Sequence, residues 1–311
     1  MSQFHHVLMA RAAGEDITDA IALYNPNGPM AMIAFIVYLI VAIGFWYRHF
    51  KLPKPRARYM RPVRYGATFM ALGYLCRYTR RNGINAWSWL FETFFILLSP
   101  CAFLAQVYIL LPIIATYLNA EDKLPLGGRA IKWIFILADV TTVLAQLAGT
   151  ALTITFGDLV KIGKWVVTGG LWVQLVFFLS FMVIFIVFVR RVRRSGGEAM
   201  KGNMGGGKWN ERWMSLIYIM FFACLCMLVR SIYRVAEYTA GAKSELGKSE
   251  PAFYILDALM MLLLMLSFHL VWPPACLDSD PFANAHGMTN TNFRPETDPY
   301  ATPCAKPNYR R

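Results

Sequence analysis

The chain has 311 residues, 57% of them hydrophobic and only 16% charged, with a mean hydropathy of +0.42. Soluble domains hold about 45–50% apolar and about 25% charged residues, so two ordinary soluble domains are excluded, and an aromatic content of 15% excludes disorder of the whole chain. The 31 basic against 18 acidic residues leave a net charge of +13; in a membrane protein such a surplus reads as topology, and without a basic face interleaved with aromatics it does not point to nucleic acid.

Residues 1–28 hold His5, His6, Arg11, Glu15, Asp16 and Asp19 but no apolar stretch of signal-peptide type. The first span is therefore expected to act as its own insertion signal. Seven apolar segments follow, at roughly 30–49, 63–78, 91–118, 131–154, 165–189, 213–236 and 252–272. A spanning helix needs about 20 residues, and six segments meet that. The second is weak, with 12 residues between Arg64 and Arg77, or about 18 Å against a hydrocarbon core of about 30 Å. Snorkelling of both arginines from its ends would rescue it.

Charge decides whether it crosses. One basic cluster is Lys51, Lys54, Arg56, Arg58, Arg61 and Arg64; the other runs Arg190, Arg191, Arg193, Arg194, Lys201, Lys208 and Arg212. Both belong on the cytoplasmic side, which requires an even number of spans between them and so counts the weak segment in. The predicted fold is an all-α polytopic bundle of seven transmembrane helices, N-terminus outside and C-terminus inside. Its regions are an extracellular segment 1–28, a transmembrane domain 29–272 and a cytoplasmic tail 273–311. Seven prolines in the 39 residues of the tail argue for disorder there.

The loop residues Gly202 to Lys208 match GxxxxGK, but Trp209 stands where a phosphate loop needs Ser or Thr, and a membrane helix precedes it. It reads as a flexible linker. The six cysteines show no CxxC or Cys/His spacing, and no metal or other cofactor is expected. The seventh segment contains no lysine, which excludes a retinal Schiff base. No hydrolase elbow, HExxH or dinucleotide fingerprint occurs, so no enzyme is expected.

Ionisable groups at membrane depth are the candidates for function. In the fourth segment Lys132, Asp139, Gln146 and Thr153 lie seven apart and form one stripe, with Asp139 near mid-depth. The stripe is either a polar lining that takes a head group or an interhelical hydrogen-bond seam. Gly170 and Gln174 in the fifth segment have the i, i+4 spacing of close helix packing. Phe177, Phe178, Phe181, Phe185 and Phe188 are lipid-facing or core. In the sixth segment Arg230, Arg234 and Glu237 share a face, either solvated at the outer interface or paired internally with Asp257 or Glu250. Glu250, Tyr254 and Asp257 lie near the outer end of the seventh, and His269, about 120° round from Asp257, stands apart as an interfacial histidine.

These segments resemble the fungal lipid-translocating exporter family, the RTA-like proteins named for resistance to aminocholesterol. The resemblance rests on Tyr24-Asn25-Pro26, Gly73-Tyr74 with Arg77, Ser99-Pro100, Ala105-Gln106-Val107-Tyr108, Asp139, Gln146 and Gly149, Gly170-Leu171 with Gln174, and above all Arg230-Ser231-Ile232-Tyr233-Arg234-Val235-Ala236-Glu237-Tyr238 followed by Gly241, Glu250, Tyr254 and Asp257. Met70, Pro112-Ile113 and Trp272 depart from the family pattern, which marks a divergent member. The resemblance implies a seven-helix membrane protein that exports or flips sphingoid long-chain bases, with links to sterol-analogue and drug tolerance and to porphyrin uptake. It further implies membrane lipids and an amphiphilic small molecule as partners, and the plasma membrane as location, with endosomal or vacuolar membranes as alternatives.

On this reading Asp139, Gln146, Gln174 and Tyr108 bind the substrate. Arg230, Arg234, Glu237, Glu250, Tyr254 and Asp257 form a gate or ion-pair network. The alternative is a seven-helix lipid-sensing receptor or regulator without net transport.

Overall fold

A computed structural model describes residues 27–51, 58–80, 86–118, 120–152, 158–194, 209–240 and 249–276. The N-terminal segment with Tyr24 to Pro26, the Gly-rich loop, Lys54, Arg56, Thr153, Gly241 and the tail beyond 276 lie outside them. Among the described residues all regular structure is helical. The long helices are α1 (Gly28–Lys51), α2 (Arg61–Arg80), α3 (Ala86–Tyr117), α4 (Gly128–Leu152), α5 (Asp158–Arg194) and α6 (Trp209–Ala240). Helix α7 runs from Glu250 to Leu270, with a π-helical stretch at Phe253–Leu259 between its α-helical ends. A single helical turn, Pro273–Cys276, opens the segment read from its prolines as non-helical.

Contacts between neighbours give the helix directions. Trp46 Nε1 donates to Thr68 Oγ1 at 3.1 Å while Tyr38 stacks on Tyr74, so α1 and α2 are antiparallel. Ser99 Oγ donates to the Gly66 carbonyl and Arg77 meets Glu92, which sets α3 antiparallel to α2. Gln146 against Gln174 and Phe135 against Phe181 do the same for α4 and α5. Helices α1 and α7 run parallel: the Tyr38 hydroxyl donates to the Ala258 carbonyl near the start of α7, and Arg48 to the His269 carbonyl near its end.

Burial explains why the sequence reads as it does. Ile33, Ile36, Ile40 and Ile43 on α1, Trp133, Leu137, Val140 and Leu144 on α4, and Trp172, Val173, Val176 and Val183 on α5 are exposed. Apolar area of that extent is untenable in water and suits a lipid environment. Six helices (all but α2) are long and apolar enough to cross a membrane, so the chain is an integral multi-pass protein. The phenylalanines of α5 prove to be core: Phe178, Phe181, Phe185 and Phe188 are buried, and Phe177 packs against them.

Helix α2 corrects one expectation. It extends over 20 residues, about 30 Å, and Val63, Arg64, Ala67, Met70, Ala71, Tyr74 and Arg77 on it are buried. Its low hydropathy reflects interior position, because a helix shielded from lipid can carry small and polar residues. Arg64 and Arg77 do not snorkel to water. Arg64 folds over the Trp46 ring at 4.7 Å, and Arg77 turns inward to Glu92. Of the departures from the family pattern, Met70 is fully buried, Pro112 packs tightly against Gly128, and Trp272 stacks near Phe45 and Arg48.

Candidate functional site

At one end of the bundle the polar residues of four helices converge. Arg230 and Arg234, one turn apart on α6, both reach the same oxygen of Asp257: Arg230 Nη1 at 2.7 Å and Arg234 Nε at 2.8 Å. Asp257 is 0% exposed and sits in the π-helical stretch of α7; such bulges are often found at functional sites. Arg234 also holds Glu237 at 3.3 Å. Of the two sequence alternatives for this face, the internal network is the one observed.

Arg230 makes a second contact, and the packing of α3 on α6 explains it. Its Nη2 donates to the Ile96 carbonyl at 3.2 Å. Four residues on, Pro100 has no N–H to take up that carbonyl. Arg230 thus satisfies a backbone acceptor that Pro100 leaves open in the middle of α3, and the proline fixes where the guanidinium sits.

Glu250 and Tyr254 join a neighbouring cluster instead of this one. Glu250 Oε1 accepts the Asn27 N–H at 2.9 Å and lies 3.9 Å from Arg77. Arg77 is bound to Glu92 at 2.8 Å and stacks over Phe253 at 4.4 Å, with Tyr254 at 5.8 Å. Tyr254 in turn stacks on Tyr74. Sequence reasoning assigned neither Glu92 nor the Arg77 pair to the site. A signal was present, since Arg77 and Glu92 flank the α2–α3 connection within two to three turns and an antiparallel hairpin puts such residues at similar depth.

Deeper in the bundle, α4 turns its polar stripe inward as expected: Asp139, Thr142, Gln146, Gly149 and Thr150 are all buried. Lys132 leaves the stripe and lies over Trp133. Gln146 Nε2 donates to Gln174 Oε1 at 3.0 Å. Close approach of α4 and α5 makes this contact, and glycine permits it. A Cβ on Gly170 would sit 2.9 Å from Gln146 Cγ, and one on Gly149 would sit 2.9 Å from the Gly163 carbonyl oxygen.

Asp139 is 1% exposed. Neither of its oxygens has a hydrogen-bond donor in regular geometry. The Tyr108 hydroxyl, itself buried and without such a partner, faces it, and Cys101 lies within electrostatic reach. The Thr142 hydroxyl, one turn on, donates to the Asp139 backbone carbonyl at 2.9 Å and leaves the carboxylate alone. An acid at mid-membrane costs about 2.5–3.5 kcal/mol on insertion scales, and nothing among the described residues offsets it by charge. Gln106, fully buried with both amide atoms unpartnered, is a second polar group at depth that was not singled out for the site.

Between the two regions lies a narrow cleft of about 30 Å³, bounded by Leu97, Pro100 and Leu104 of α3, Leu171, Gln174 and Leu175 of α5, and Met227, Arg230, Ser231 and Arg234 of α6. It has room for about two waters. Its walls are largely apolar, two guanidiniums line it, and Gln174 connects it through Gln146 to the stripe that bears Asp139. His269 remains apart, as expected: it packs on the Phe45 ring, and its Nε2 lies 3.2 Å from the Val41 carbonyl.

Apolar helices around ion pairs and a lone buried acid define an integral multi-pass membrane protein with a polar interior. The chain belongs to the RTA1-like family: the family model described as "RTA1 like protein" matches residues 63–280. Protein RTA1 of Saccharomyces cerevisiae is 29% identical over 185 residues, covering 60% of this chain and 56% of that protein. Protoporphyrin uptake protein 1 of the same yeast is 24% identical, covering 65% of each. "Probable lipid transporter atnI" of Emericella nidulans is 25% identical, covering 66% of this chain and 52% of that protein. The chain thus spans about half to two thirds of the length of these relatives, and identities this low mark a divergent member of a fungal family. No solved structure matches.

Proposed function

We propose that the protein moves amphiphilic, lipid-like molecules across the bilayer, with sphingoid long-chain bases as the first class to test. The observation that carries this reading is Asp139, an inward-facing carboxylate faced by the Tyr108 phenol and without counter-charge, two helical turns from Gln146. A sphingoid base brings an ammonium for the acid and hydroxyls for the amide, while its chain stays among apolar walls. The name of the Emericella relative supports a lipid cargo, and that of the porphyrin uptake protein supports a broader amphiphile class. Arg230, Arg234, Glu237 and Asp257, with Glu250 and Tyr254 beside them, close the outer end. The reaction is transport without covalent chemistry.

Helix α2 counts as the seventh crossing. Its contacts run from Trp46, near the end of α1, to Glu250, at the start of α7, and α1 and α7 are parallel as seven alternating spans require. Arg48 and Lys51 end α1, and Arg190 to Arg194 end α5. Arg191 reaches the Lys123 carbonyl after α3, so basic residues gather at one end, which is cytoplasmic on this reading. Residues 1–28 then lie outside, 29–272 form the transmembrane domain and 273–311 lie inside, in the plasma membrane.

The test is flux of a fluorescent sphingoid base in proteoliposomes. Wild-type protein is expected to accelerate flux, and Asp139→Asn with Gln146→Ala to abolish it. Unchanged flux at equal protein amount would overturn the site, and stoichiometric binding without flux would favour the lipid-sensing receptor.

A further inference from the structure

We infer that Asp139 is a proton-exchange site, on which a proton and a cationic head group alternate, so that each amphiphilic cation moved one way is exchanged for one proton moved the other. This rests on the translocator reading and adds its energy source.

The surroundings of Asp139 carry the argument. Helix α3 presents Tyr108 and Cys101, and α6 presents Cys224 beside Tyr108. Helix α5 brings Gln174, engaged with Gln146, and holds its charged residues only at its ends, at Asp158, Lys161, Lys164 and from Arg190 onwards. On α4 the nearest charge along the stripe is Lys132, seven residues away, about 10 Å, with its Nζ over Trp133. Among the described residues no ion pair reaches Asp139, and no group of three or more His, Cys, Asp or Glu could hold a metal. A hard cation such as Ca²⁺ needs about 6–8 oxygen ligands, whereas this site offers one carboxylate and one phenol. Two occupants fit that donor set: a proton, and an ammonium whose own chain meets the apolar walls.

A bare carboxylate in hydrocarbon is unfavourable whichever way the protein faces, so one occupant must replace the other before the empty site reorients. On loading, the carboxylic acid of Asp139 gives its proton to water on the loading side, and the carboxylate pairs with the ammonium. On release, water on the far side returns a proton as the ammonium leaves. One cation and one proton exchange, and the cycle is electroneutral. The cleft supplies the approach, since Gln174 on its wall hands on to Gln146, two turns from Asp139.

The probe is a fluorescent long-chain quaternary ammonium, whose permanent charge removes passive trapping by pH. Purified full-length protein is reconstituted with a trapped pH dye and a clamped membrane potential. The expected result is accumulation on the acid side, approaching about tenfold per pH unit, with one proton counter-transported per cation and no response to the potential. Asp139→Asn loses the response. Flux that ignores the pH gradient, or follows the potential, overturns proton exchange while the translocator reading stands; absence of flux for every amphiphilic cation overturns both. A second measurement needs no variant and no flux. In weakly buffered detergent solution, binding of the same probe to wild-type protein is expected to release about one proton per molecule bound. Binding with no proton released overturns the inference.

Discussion

Asp257 and Asp139 are both aspartates with almost no exposure, on helices of the same bundle, yet their environments are opposite. Asp257 is held by two guanidiniums converging on one oxygen, and one of those guanidiniums is pinned to a carbonyl that Pro100 leaves free. Asp139 has a phenol facing it and no cation. A charge supplied with permanent partners locks helices together. A charge left without them is either a liability or a place for something that comes and goes. The Asp257 network therefore reads as architecture that positions α3, α6 and α7, and the mid-depth acid as the working group.

The sharpest way to break that contrast is to neutralise Asp257. Asp257→Asn keeps the shape, leaves Arg230 as an uncompensated buried cation and leaves Arg234 with Glu237 alone. Removal of one partner from a buried pair costs about 3–5 kcal/mol, so this variant is expected to show the largest loss of thermal stability in detergent and a strong fall in protein level. A melting profile like that of the wild type would mean that the network is not structural.

Arg77 and Glu92 give the next effect. Glu92→Gln is expected to destabilise, at the low end of the same range because Glu250 remains 3.9 Å from Arg77. Replacing both members, Arg77→Met with Glu92→Leu, is expected to recover most of the loss, since a buried pair exchanged for packed apolar groups is often neutral. A double-mutant cycle on melting temperature checks this. Strict additivity of the single losses would show that the pair is not coupled.

The legibility of these features in the sequence follows their range. The six apolar helices were plain from composition alone, because lipid demands long apolar runs. Helix α2 showed only through the parity of the basic loops. Its interior position lets Gly66, Ala67, Ala71 and Gly73 replace large apolar residues, which is the signal hydropathy depends on. The inward stripe of Asp139 and Gln146 was readable from a seven-residue spacing, a local property of one helix. Arg230 with Ile96 was not readable, because those partners are 134 residues apart and only the packing of α3 on α6 joins them. The choice for Arg230 and Arg234 between solvent and an internal acid stayed open for the same reason: spacing fixes a face of a helix but not what that face meets. Tyr108 entered through family resemblance, and the structure placed it opposite Asp139. The resemblance and the packing thus supplied what one-dimensional pattern could not.

The smallest expected stability effect belongs to Asp139→Asn, and its smallness is the point. No hydrogen bond of regular geometry and no ion pair is lost, the amide is nearly isosteric with the acid, and the protonated acid of the empty site carries no charge to lose. The change in unfolding free energy is expected to lie within about 0.5 kcal/mol of zero, the range of substitutions that break no contact, while amphiphile flux disappears. Parallel measurement of melting temperature and flux on one preparation checks both halves. A loss comparable to that of Asp257→Asn would mean that Asp139 has a structural partner and belongs with the network. Preserved stability with lost flux would separate the two aspartates by role, because a residue that holds nothing together yet cannot be neutralised must act on what passes through.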